Sequence, residues 1–135
     1  MPDLTITPDT AFAILLKARE YEVKVPQTDP DSGSNPSDDN SVDALELGPQ
    51  DETRRELLSA VSDLNDSEQN DLVALIYLGR GDFSLDQWED AKQAAADLSR
   101  GQIPRYVAET PLASDFLEEG LSQFDESLQD YLDSH

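Results

Sequence analysis

Apolar residues recur along this chain with a helical period, and each stripe is bracketed by residues that start or stop helices. Thr7 and Pro8 open a first helix, with Asp9 at its positive end. Phe12, Leu15, Leu16 and Arg19 share one face of it, and Ile14, Ala18 and Tyr21 continue a second stripe. Pro26 stops it by Val25. A second helix fits Pro49–Leu64 on the stripe Leu57, Val61 and Leu64. Asp66 or Ser67 caps a third, apolar nearly all round from Leu72 to Leu78, which predicts the most buried helix, with Gly79 as its stop.

The C-terminal half repeats this logic. Ser84 to Gln87 has capping-box spacing and opens a helix to about Ser99, with Trp88, Ala91, Ala95 and Leu98 on one face and Gly101 as its end. A short helical turn fits Pro104–Glu109. Thr110-Pro111 then repeats the cap-plus-proline start of a helix lined by Leu112, Phe116, Leu117, Leu121 and Phe124, and Gly120 inside it marks a close backbone approach. A last amphipathic segment, Glu126–Leu132, places Leu128, Tyr131 and Leu132 on one side. No stretch sustains a period of two. The expected fold is all-α, one small helical domain of five to six helices.

One segment breaks the pattern. Gln27–Asn40 has no core-forming side chain, three breakers (Pro30, Gly33, Pro36) and acids without basic neighbours, the signature of a flexible acidic linker. Residues 41–48 regain apolar side chains and read as an arm. The expected organisation is an N-terminal helix over 1–26, an acidic linker or arm over 27–48, and a compact helical domain over 49–135.

Composition adds limits. The formal charge is −21, from 30 acidic and 9 basic residues. Such a surface repels nucleic acid and anionic membranes and suits a basic protein partner, or simply a saline environment, which the excess of Asp over Glu also fits. Self-association into a homodimer is the other partner expectation. Without cysteine there is no disulfide, thiolate nucleophile or zinc–thiolate site. The N-terminal residues lack a basic stretch followed by a long apolar one, so a cytoplasmic location is the default.

Candidate chemistry is sparse. His135 is the single histidine and stands last in the sequence. No nucleophile elbow, P-loop or dinucleotide fingerprint occurs, and no cofactor is implied. Arg80-Gly81-Asp82 spells an adhesion tripeptide but sits at a helix stop, where turn chemistry accounts for it. The stretch from Asp29 misses the calcium-loop glycine and glutamate, having Ser34 and Asn40 there. Three clusters remain. Asp115, Glu118 and Glu119 share a helix face and could serve a metal-dependent hydrolase. Arg100, Arg105 and Tyr106 gather basic groups at a helix junction, a candidate anion contact. Leu128, Tyr131 and Leu132 form an apolar stripe that packs on its own domain or meets another chain.

The run Gly79-Arg80-Gly81-Asp82-Phe83, then Trp88-Glu89, then Thr110-Pro111-Leu112 leading into Phe116-Leu117-Glu118-Glu119-Gly120-Leu121, resembles a bacterial domain-of-unknown-function family, number 3775. The resemblance covers roughly residues 70–134. It implies a small helical domain in the bacterial cytoplasm and carries over no substrate, cofactor or catalytic residue. Function therefore reduces to two readings, a non-enzymatic acidic interaction module or a hydrolase built on helical carboxylates.

Overall fold

The computed structural model describes residues 3–24, 49–98 and 101–134. The expected linker and arm, as well as Arg100 and His135, lie outside them. The described residues form seven α-helices and no strand: α1 (Pro8–Lys24), α2 (Pro49–Ser62), α3 (Asp66–Arg80), α4 (Trp88–Ala96), α5 (Ile103–Glu109), α6 (Ala113–Ser122) and α7 (Leu128–Ser134), with a 3-10 turn at Leu85–Gln87 ahead of α4. The all-α expectation holds, and the two short C-terminal turns are helices in their own right.

α3 is the centre. Its residues Asp71–Ile76 are all buried, and it packs against α6 on one side and α4 on the other. α1 lies along α2 and α6, and α2 meets α5. Trp88 is buried, its ring edge-on to Phe124 at 4.8 Å between centroids. The apolar core runs continuously from Ile6 and Phe12 through Leu75 and Trp88 to Leu121, so α1 belongs to the same core as the rest.

Two glycines set the α3–α6 crossing. A Cβ on Gly79 would meet the Phe116 carbonyl oxygen at 1.9 Å, and one on Gly120 the Leu75 carbonyl oxygen at 2.4 Å. Each helix thus gives the other a place without a side chain, and the pairing 79 with 116 and 75 with 120 makes the helices antiparallel. Gly79 is therefore a packing residue, not the stop. α3 runs to Arg80, and Gly81 ends it in the left-handed conformation at φ 92°. The cap at the other end is Asn65, which precedes both expected residues. Its side chain accepts the Glu68 N–H at 2.8 Å, while the Glu68 carboxylate accepts the Asn65 N–H at 3.0 Å.

Two further starts and stops differ from expectation. α4 ends at Ala96, earlier than Ser99, and the Gln87 side chain accepts the Ser84 N–H as the capping-box spacing requires. α6 begins at Ala113, because Thr110 does not cap it. The Thr110 hydroxyl donates to the Tyr106 carbonyl at 2.6 Å, finishing α5. Leu112 takes the cap position with φ 61° and no capping side chain. That conformation is unusual for a residue with a Cβ.

Candidate functional site

The densest polar seam joins α1 to the start of α6. Ser114 is fully buried in the first turn of α6. Its N–H and hydroxyl both donate to the Glu22 carboxylate of α1, at 3.0 and 2.7 Å. Leu112 offers no oxygen for this purpose, so a carboxylate ninety-two residues away in sequence caps the helix. A negative group there also meets the positive end of the helix dipole.

One turn back on α1, Arg19 completes the seam. Its guanidinium reaches Asp115 at 2.9 Å and Glu118 at 3.0 Å, and its Nε donates to the Ser114 hydroxyl oxygen at 3.3 Å. Partial burial alone would lower the arginine pKa, but the hydrogen bonds and charges of Glu118 and Asp115 outweigh it and hold the guanidinium more firmly protonated. Asp115, Glu118 and Glu119, together with Ser122, line an open depression of about 290 Å³. The sequence-expected carboxylates are thus neighbours in space, with two of the three already paired to Arg19. Among the described residues no group of three or more His, Asp or Glu is arranged to hold a metal ion.

A second polar anchor lies at the other end of α1. Asp71, on α3 and without any exposed surface, accepts the backbone N–H groups of Thr5 and Ile6 on one carboxylate oxygen, the latter at 3.1 Å. Its other oxygen lies 4.0 Å from the Lys92 ammonium. Burial pushes this carboxyl above the ordinary aspartate value, while the two N–H donors and Lys92 pull it back.

The other expected residues are dispersed. Leu128 and Tyr131 pack against the core, with Tyr131 stacked on Phe12 at 5.3 Å, whereas Leu132 is 47% exposed. Arg105 pairs with Glu109 at 3.6 Å, and Arg54 reaches the same carboxylate at 3.3 Å. Tyr106 meets Tyr77 edge-on at 6.1 Å, and the Arg80 guanidinium lies over the Tyr77 ring at 5.5 Å while pairing with Asp82. The Arg-Gly-Asp tripeptide is thus closed on itself by an internal ion pair. Arg19, Glu22, Ser114 and Asp71 were not among the expected site residues. The sequence signal for them is weak: Arg19 falls on the apolar face with Phe12, Leu15 and Leu16, while Glu22 is one of several charges toward the end of the first helix.

Among the described residues no helix is long and apolar enough to cross a membrane. A family model described as a protein of unknown function, DUF3775, matches residues 54–125. No curated protein and no solved structure matches the chain.

Proposed function

We propose that this chain, which belongs to the DUF3775 family, is a non-enzymatic, acidic interaction module whose working surface is a groove for an amphipathic helix. The observation that carries the reading is the seating of α1. The family match begins at Arg54, so α1 lies outside it, yet α1 runs along α2 and α6 as a helical ligand would. Ala11, Phe12, Ile14, Leu15 and Ala18 fill the groove, while Asp71 holds the backbone ahead of them and Ser114 holds Glu22 behind. Twenty-four residues of sequence, from Val25 to Gly48, separate this helix from α2. A tethered occupant is displaced by a partner helix that outcompetes its effective concentration, on the order of millimolar for short linkers. The charge of the chain favours a basic partner over a second copy, which carries the same −21.

The test is to place a protease site within Gln27–Asn40 and cut it. The N-terminal piece should stay bound through size exclusion and exchange with an added synthetic copy of residues 3–24. Immediate loss of the piece, or a piece that never exchanges, would refute the reading. A second reading, a metal-dependent hydrolase, has one observation behind it, the shared depression of Asp115, Glu118 and Glu119. Calorimetric titration with magnesium or manganese decides it: saturable sub-millimolar binding that Glu119→Gln abolishes would favour the hydrolase.

A further inference from the structure

We infer that the polar seam at Ser114, Asp115 and Glu118 is a specificity site that reads an arginine and a glutamate three residues apart on the helix in the groove. The inference rests on the groove reading above and adds what the groove selects. Apolar contacts alone accept many amphipathic helices, because dispersion and desolvation have little directional preference. The seam is directional. It presents two carboxylates at one level of the docked helix and a free helix start at the next.

Each half is complementary to one side chain and hostile to its opposite. The level of Asp115 and Glu118 takes a cation, and Arg19 divides its guanidinium between them. The level of Ser114 takes an anion that accepts two hydrogen bonds, and Glu22 uses both of its oxygens there. Ser114 links the levels, since its hydroxyl donates to Glu22 and accepts from Arg19. The two levels lie three residues apart on α1, nearly one helical turn, so one helix face satisfies both.

The halves differ in strength. Arg19, Asp115 and Glu118 keep 33%, 60% and 44% of their side-chain surface in solvent. Their pairing falls in the class of exposed ion pairs, and its loss weakens binding by roughly twofold to fivefold. Ser114 is buried, and losing Glu22 leaves its N–H and hydroxyl without an acceptor. That costs roughly tenfold or more. Glu22 is therefore the dominant determinant and Arg19 the salt-sensitive one.

The experiment uses the full chain, cut within Gln27–Asn40, and a fluorescent peptide of residues 3–24 as the probe. Peptides carrying Glu22→Ala, Arg19→Ala, or the exchange Arg19→Glu with Glu22→Arg are compared by anisotropy. The expected order is wild type tightest, then Arg19→Ala, then Glu22→Ala. The exchanged peptide should be weakest, below a double-alanine peptide, because each charge then faces its like. Reversing the rim with Asp115→Arg and Glu118→Arg should recover binding of an Arg19→Glu peptide. Equal binding of all peptides overturns this inference and leaves the groove standing. Failure of every peptide to bind removes the groove reading instead. In that case a double-mutant cycle between Glu22→Ala and Ser114→Ala in the uncut chain still tests the seam, and a coupling indistinguishable from zero overturns it.

Discussion

Replacing Gly120 or Gly79 by alanine sets two opposed effects against each other, and the outcome is a change of sign. By helix propensity alone each substitution stabilises the fold by about 1 kcal/mol. The structure reverses this. Ordinary van der Waals contact begins near 3.4 Å, while the new methyl carbon would stand 1.9 Å from the Phe116 oxygen at Gly79 and 2.4 Å from the Leu75 oxygen at Gly120. The opposing atoms are helix backbone and cannot rotate aside. α3 and α6 must part by about an ångström, loosening the buried contacts of Leu72, Leu75, Leu117 and Leu121. Overpacking of this kind costs roughly 1–3 kcal/mol or somewhat more. Net of the propensity gain, we expect a loss of about 2 kcal/mol for Gly79→Ala, whose closer approach puts it at the top of that range, and about 1 kcal/mol for Gly120→Ala. Urea denaturation followed by circular dichroism measures it as a lower midpoint with an unchanged slope. Gly101→Ala is the control, because nothing lies within 4 Å of a Cβ there. The double substitution should cost less than the two single losses together, since helices parted once need not part again. A midpoint that rises for Gly120→Ala, or for Gly79→Ala, would refute the reasoning and mean that the helices do not cross this closely.

Other perturbations separate parts of the fold. Trp88→Ala removes a buried ring packed on Phe124 and should cost roughly 3–5 kcal/mol in the same titration; a loss below about 1 kcal/mol would place the ring at the surface. Asp71 has a folded pKa raised by burial, so the folded state binds its proton more readily than the unfolded chain does. Its charge penalty is present above that raised pKa and is relieved as pH falls through it. The stability of wild type relative to Asp71→Asn should therefore grow as pH falls from 7 into the acid side of the ordinary aspartate value of about 3.9, and a difference that shrinks would refute the assignment. Within α7, Tyr131→Ala should destabilise by at least about 1 kcal/mol through its ring contact with Phe12, whereas Leu132→Ser at an exposed position should stay within about 0.5 kcal/mol; melting curves of the two variants check the split.

The sequence carried the helices because helical period is a local property. The stripe of Trp88, Ala91 and Ala95 and the apolar run of α3 read directly as buried faces, and they are buried apart from the half-buried Tyr77. Boundaries were harder where several letters do the same work. Asn65, Asp66 and Ser67 are all good caps, and only the reciprocal bond with Glu68 selects Asn65. Gly79 and Gly81 both suit a stop, and the close approach of Phe116 decides which one is needed for packing. Leu112 gave no warning, since leucine rarely adopts a left-handed backbone. The seam was illegible for another reason. Arg19 and Glu22 meet partners more than ninety residues away, and no local pattern pairs them with an ordinary serine. The carboxylates at 115, 118 and 119 were found because they share one helix; the arginine that occupies two of them was not.

The contact at Asp71 shapes which sequences the fold tolerates. The carboxylate grips main-chain N–H groups at positions 5 and 6, and every amino acid but proline supplies one. The exposed Thr5 side chain is then free to drift, while Ile6, buried in the core, and the acid that holds both are not. Thr5 should accept most replacements with little loss, whereas Thr5→Pro removes one of the two donors and should loosen the segment, though less than removing the acid, which loses both. Random mutagenesis of the chain would therefore recover a lopsided pattern, a permissive position 5 with one forbidden residue, proline, beside a core isoleucine and an acid that tolerate little.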